Sequence, residues 1–141
     1  MPFTPKTPYL TTDAIVEIYQ EDSFKGIVLI KRKNPPLGLA IPGGFVDVGE
    51  KIEDACIREM KEEINVDIEL TSLLGVYSDP SRDPRFHTAS VVYIARADVL
   101  PKAGDDAKEA YVYTTDEIPL DLLVFDHRQI MEDYLAFRSS L

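Results

Sequence analysis

The sequence predicts a mixed β-sheet packed against helices, an α/β fold of the α+β kind. Stretches rich in β-branched and aliphatic residues outnumber helix-like stretches. The most regular helical pattern lies between two of them, and no internal repeat or low-complexity linker divides the chain. At 141 residues the chain is long enough for one domain, spanning 1–141, with a real core.

Each element has its own signal. The opening MPFTPKTPYL carries three prolines and no apolar stretch, so residues 1–10 are expected as an extended arm and not as a signal peptide. Residues 11–20 and 26–31 read as strands joined by the polar loop EDSFK. Asn34-Pro35-Pro36 breaks the chain. A short extended piece over 37–41 then meets the punctuation Pro42-Gly43-Gly44. Residues 51–64 combine strong helix formers with a period near 3.6, and Asn65 fits the left-handed stop after the helix. Residues 66–77 read as strand, with a bulge expected at Gly75. The polar, proline-rich run 78–85 reads as loop, 87–97 as strand, 101–106 as a second loop and 110–113 as a short strand. Thr115 or Asp116 fits the cap of a short turn before Pro119. Residues 126–138 read as a closing helix with Asp126 as N-cap and Ile130, Tyr134 and Phe137 on one face.

Composition narrows the function classes. Net charge is −10, from 25 acidic and 15 basic residues. Nucleic acid and anionic membrane surfaces both require a basic face, so neither is expected as a partner. An anionic substrate would need metal ions to bridge it to so acidic a protein. No apolar run approaches the ~20 residues of a membrane-spanning helix. The single cysteine, Cys56, excludes an internal disulfide, and a cytoplasmic location is expected. Cys56 falls in the apolar series Ile52, Cys56, Met60, Ile64 and is expected as core material.

Glu59, Glu62 and Glu63 are the most informative residues. On a helix they are i,i+3 and i,i+4 neighbours, about 5–6 Å apart at Cβ. Like charges at that spacing oppose a bare helix. They form either a solvated acidic face or a set of hard oxygen ligands for a divalent cation. Arg58 stands four residues before Glu62 and fits a brace for that carboxylate, a reach back to Glu50, or a surface ion pair of little consequence. Gly43 and Gly44 let backbone come close to a ligand or to the helix, or simply make a tight turn.

Written out, Gly44, five residues, Glu50, seven residues and Arg58-Glu59-Met60-Lys61-Glu62-Glu63-Ile64-Asn65-Val66 closely resemble the Nudix box, the signature of the Nudix hydrolases. One position departs, Asn65 standing where the family usually has Gly. The resemblance implies an α/β/α sandwich with the mixed sheet between helices. It also implies Mg²⁺ (or Mn²⁺), as two or more ions, held by Glu59, Glu62 and Glu63 with Gly43 in the same set. The implied reaction is hydrolysis of a nucleoside diphosphate linked to another moiety by metal-activated water. Arg58 would orient the catalytic glutamates, Glu62 and Glu63 among them, and Glu50 would support the cluster.

A second stretch narrows the substrate. Ser78-Asp79-Pro80-x-Arg82-Asp83-Pro84-Arg85, then His87, resembles the compact microbial ADP-ribose pyrophosphatases. It also resembles Nudix domains that sense ADP-ribose within transcription regulators. The later run Asp106-Ala107-x-Glu109-Ala110, then Glu117-Ile118-Pro119, has the same character. Arg82 and Arg85 fit phosphate contacts, as Gly43 and Gly44 fit close approach to the substrate. Equally, the loop could be stapled internally by Asp79–Arg82 or Asp83–Arg85 pairs. Glu109, expected in a loop, is either a further ligand or general base, or an ordinary loop carboxylate. Hydrolysis of ADP-ribose to AMP and ribose 5-phosphate is the leading expectation. A (d)NTP or another nucleotide sugar is the alternative. A non-catalytic sensor ranks below both, because every box carboxylate is retained and no room for a DNA-binding domain is expected after residue 138. The family resemblance also makes a homodimer an expectation.

Overall fold

The computed structural model describes residues 3–104 and 107–141. Its elements in chain order are β1 (Tyr9–Gln20), β2 (Ser23–Arg32), β3 (Leu39–Ala40), β4 (Gly43–Phe45), α1 (Ile52–Ile64), β5 (Glu69–Tyr77), β6 (Thr88–Ala97), β7 (Ala107–Tyr113), a 3₁₀ turn (Leu120–Leu122) and α2 (His127–Ser139). The strands form one sheet in the order β3-β2-β1-β6-β5, with β4 added to β1 and β7 added to β2. The β1–β6 pair is parallel and the other pairs are antiparallel, so the sheet is mixed.

Both faces of the sheet are covered, which explains why β1 and β2 are apolar almost continuously rather than in alternation. On one side Ala14, Val16, Ile18, Val28 and Ile30 pack with Cys56, Met60 and Ile64 of α1. On the other, Ile15, Ile27, Leu29, Val92 and Ile94 pack with Ile130, Met131 and Tyr134 of α2. The expected sandwich is therefore the observed one. Cys56 is fully buried, and its burial pushes the thiol up to about 12.

Several boundaries differ from the sequence expectations. Strand β1 begins at Tyr9, so Tyr9 and Leu10 belong to the sheet and not to an arm; Met1 and Pro2 lie outside the described residues. The β1–β2 connection is only Glu21 and Asp22, both at positive φ (51° and 61°). Two left-handed residues make the tight turn whose twist suits a hairpin, so Ser23, Phe24 and Lys25 extend β2 rather than the loop. Gly43-Gly44 is a strand edge pairing with Asp13 and Thr12 of β1, more than a turn. The expected bulge is real, with register shifting between Leu73 and Gly75.

The α1 terminus bears directly on the site. Asn65 closes the helix at φ 57°, ψ 37°, the left-handed region that glycine otherwise fills. Its Nδ2 donates to the Lys102 carbonyl at 2.9 Å. Main-chain N–H groups of Lys102 and Gly104 donate to the Ile64 and Glu63 carbonyls at 2.8 and 2.7 Å. The loop at 102–104 thus satisfies carbonyls that a helix end leaves open. Of the loop expected over 101–106, Asp105 and Asp106 lie outside the described residues.

Candidate functional site

One side of β1 is paired along its length by β6, and the other is shared. Strand β4 takes residues Thr11 to Asp13, while β2 takes Glu17 to Gln20. Where β2 and β4 part, a cavity of about 330 Å³ opens, lined by Asp13, Gly43, Gly44, Phe45, Glu59, Glu63, Arg82, Asp83, Arg85, Phe125 and His127 among others.

Helix α1 delivers the carboxylates. Its inward face buries Ala55, Cys56, Met60 and Ile64, and Glu63 lies on the same face, 5% exposed. A buried carboxylate requires a donor, and the Gly43 N–H supplies one to Glu63 Oε2 at 3.2 Å. Strand β4 comes so close to α1 that a Cβ at Gly44 would overlap the Glu59 carboxylate, which explains the glycine.

Arg58 organises the rest. Its Nε and Nη2 donate to the two oxygens of Glu50 at 2.8 and 2.9 Å, a bidentate fork. Nη1 donates to Glu59 and Glu62 at 3.0 and 3.1 Å, and Nη2 also reaches the Phe45 carbonyl at 3.1 Å. Of the roles the sequence left open, bracing Glu62 and reaching back to Glu50 are both realised. The Arg58 hydrogen bonds hold the Glu50 carboxyl down at about 2, and the same bonds raise Arg58 above its ordinary value. Glu62 is exposed and does not line the cavity, whereas Glu59 and Glu63 do.

The two loop arginines part ways. Arg82 is buried, its guanidinium forked onto both oxygens of Asp126 at 2.9 and 2.8 Å and donating to Thr88 Oγ1 at 2.7 Å. The expected Asp79–Arg82 staple is replaced by this longer one; Asp79 turns its carboxylate to Ser81. Asp126 does stand at the N-cap position of α2, but its side chain makes no cap hydrogen bond because Arg82 takes it. The Asp83–Arg85 staple is present, at 3.0 and 2.8 Å. Arg85 remains partly exposed at the cavity, its guanidinium 5.1 Å from the Phe86 ring centre and 5.5 Å from that of Phe125.

Glu109 is on β7 and not in a loop. It stands opposite Lys31, accepts a hydrogen bond from the Tyr111 hydroxyl, and does not line the cavity.

The sequence reading missed two residues that line the cavity floor. Asp13 is buried and accepts a hydrogen bond from Ser90; burial pushes its carboxyl up to about 6. Its signal was a carboxylate at the head of the run AIVEIY, which is apolar but for Glu17 and Tyr19. His127 is the first residue of α2. It is buried, and its Nδ1 accepts the Ile41 N–H at 2.9 Å. Burial lowers it to about 3, so it is neutral.

The donor set suits a hard divalent cation, since Glu59, Glu62, Glu63 and the backbone around Gly43 offer only oxygen ligands. As the side chains stand, no three acidic, histidine or cysteine groups among the described residues converge into a ready cage. Arg58 draws Glu59 and Glu62 to itself instead.

The NUDIX domain model matches residues 8–134. The chain belongs to the Nudix family. It is 45% identical over 137 residues to an ADP-ribose pyrophosphatase of Methanocaldococcus jannaschii, covering 94% of this chain and 76% of that protein. Its fold matches the Nudix domain of Shewanella oneidensis NrtR complexed with ADP ribose, with a TM-score of 0.77, 27% identity and coverage of 93% of this chain and 88% of that one. It also matches a bifunctional NMN adenylyltransferase/ADP ribose pyrophosphatase of Francisella tularensis complexed with AMP and a manganese ion. There the TM-score is 0.76 and identity 32% over 96% of this chain, which spans only 43% of that longer protein. Nudix hydrolases use divalent metals, and this chain is a Nudix pyrophosphohydrolase. No helix among the described residues is long and apolar enough to cross a membrane.

Proposed function

We propose that this Nudix chain hydrolyses ADP-ribose to AMP and ribose 5-phosphate with Mg²⁺. The observation that carries the reading is the cavity itself. It has Glu59 and Glu63 beside the Gly43-Gly44 edge, and the partly exposed guanidinium of Arg85 also lines it. The 45% identity to an ADP-ribose pyrophosphatase supports the choice of substrate.

Glu59, Glu62 and Glu63, with the main chain at Gly43, are the residues that would hold the metal, as two or more ions. When bound, it supplies neutralisation of the diphosphate and activation of the attacking water. Water oxygen bonds to one phosphorus as the bond from that phosphorus to the bridging oxygen breaks, and the water proton passes to a carboxylate. Glu63 is our choice for that base, because it is buried at the cavity and oriented by the Gly43 N–H. Glu109 is the second choice, disfavoured by its place on β7 beside Tyr111. Arg58 positions Glu59 and Glu62, and Arg85 meets the phosphate that faces the loop. Arg82 serves the substrate indirectly in this reading, by fixing the loop to Asp126. We place the enzyme in the cytoplasm as a homodimer; the edge strand β5 carries exposed Leu73 and Val76, a surface suited to a second copy.

The test is release of AMP and ribose 5-phosphate from ADP-ribose with Mg²⁺ and again with EDTA. Metal-dependent turnover near or above ~1 s⁻¹ is expected. Absence of turnover by folded protein in Mg²⁺ overturns the substrate assignment.

A further inference from the structure

Phe125 occupies a backbone position that resists it. Its φ is 57°, in the left-handed region where a bulky side chain is rarely found. It is half-buried, lines the cavity and, among the described residues, stands outside both core clusters. Bonds on either side hold the backbone there. The Val124 N–H donates to the Leu39 carbonyl at 2.9 Å. Asp126 is forked by Arg82, and His127 accepts the Ile41 N–H at 2.9 Å. A strained position at a cavity, kept by contacts this distant in sequence, points to a use for its side chain. Glycine would adopt this backbone without strain, so the ring is what the position supplies.

The neighbours of the ring show that use. The guanidinium carbons of Arg32 and Arg85 lie 5.0 and 5.5 Å from its centre. They come from the end of β2 and from the loop before β6, and both residues line the cavity. Each is anchored on its own segment. Arg32 Nε donates to the Pro36 carbonyl at 2.8 Å, and Arg85 is forked onto Asp83. Two cations gathered at one place repel, and the negative face of an aromatic ring between their segments offsets that. The His127 ring, 5.2 Å from that of Phe125, is neutral and adds no third charge.

Glu59 and Glu63 line the same cavity, so a diphosphate carried there has carboxylates and guanidinium groups within one enclosure. We infer that Arg32 and Arg85, spaced by the Phe125 ring, form a two-guanidinium clamp for a phosphate of the substrate, with Phe125 as its positioning residue. The inference rests on the reading of the site as one for a nucleoside diphosphate derivative. Two fork-shaped donors suit the several oxygens of one phosphate, which a lone arginine meets only in part.

The test uses the full chain with Mg²⁺. Phe125→Leu keeps apolar bulk and removes the ring. Phe125→Gly also removes it and suits the left-handed backbone, so it keeps the test open if Phe125→Leu fails to fold. Phe125→Tyr keeps the ring. The Leu and Gly variants are expected to raise KM for ADP-ribose about 5-fold at nearly constant kcat, and the Tyr variant to match wild type. Arg32→Gln should raise KM about 10-fold. In that background Phe125→Leu should add less than about 2-fold, because the ring acts through the arginines. An undiminished effect in that background, or KM unmoved in the Leu and Gly variants, overturns the clamp. So does a fall in kcat with KM unchanged. Calorimetry with inorganic phosphate separates the clamp from the choice of substrate. If wild type fails to hydrolyse ADP-ribose while Phe125→Leu and Arg32→Gln bind phosphate more weakly than it does, the substrate reading falls and the clamp stands. Phosphate affinity unmoved in both variants overturns it.

Discussion

Arg82 and Arg85, three residues apart, show how little residue type says about role. Both are guanidinium groups on one proline-rich loop, yet Arg82 is sealed onto Asp126 and Arg85 faces the cavity. Arg82→Ala leaves Asp126 in a partly buried place without its cation and is expected to cost about 3 kcal/mol, read from urea unfolding midpoints. Arg85→Ala is expected to cost about 1 kcal/mol and to raise KM for ADP-ribose at nearly constant kcat. If Arg82→Ala proves as stable as wild type, the structural assignment of Arg82 fails. Glu63→Gln tests the opposite case. Its amide nearly preserves shape, so melting should change little while turnover disappears; retained turnover would remove Glu63 from the metal and base assignments.

The helix α1 and its stop carry their own prediction. Asn65 occupies a left-handed position where a Cβ ordinarily costs about 1–2 kcal/mol, and asparagine offsets this with its bond to the Lys102 carbonyl. Asn65→Ala should therefore lose about 1 kcal/mol. Asn65→Gly should be close to neutral, because the gain in backbone freedom is set against the lost bond. Equal stability of the Ala and Gly variants in chemical denaturation would show that the left-handed backbone is not what Asn65 is there to satisfy. The departure from the family's usual glycine thus has a local reason, the pinning of the loop at 102–104 to the end of α1. At β4 the constraint runs the other way. Gly44 lies against Glu59, so Gly44→Ala is expected to displace that carboxylate and depress turnover, with a smaller effect on melting.

Two buried titratable groups at the cavity floor tie the whole molecule to pH with opposite signs. His127 falls from 6.5 to about 3 on folding, so between those values the unfolded chain binds the extra proton and its contribution to stability is lost as pH falls. Asp13 rises from 3.8 to about 6, so the folded chain binds the extra proton and its contribution is lost as pH rises through that window. From about pH 4 to 6 the two oppose each other. His127→Asn keeps an acceptor for the Ile41 N–H and removes the first term. Relative to wild type, the variant should gain stability steadily as pH is lowered from 6.5 to 4, and a pH-independent difference in melting temperature would refute this account. His127 and Ile41 are 86 residues apart, and Arg82 and Asp126 are 44 apart. Those separations mark the limit of what the sequence shows. Helix α1, its three glutamates, the Arg58 brace and the left-handed stop were legible because they depend on neighbours within a turn or two of one helix, and on a motif of fixed spacing. The mixed sheet packed against helices followed from strand-like runs that outnumber helical ones, and the cover on both faces from the family resemblance. Tertiary structure alone decided that Asp126 would hold Arg82 instead of capping α2, that Glu109 would sit on a strand, and that Asp13 and His127 would floor the cavity. Each depends on which distant chain segment arrives beside a polar group. A buried charge or donor takes the partner that packing supplies, and no local pattern names that partner in advance.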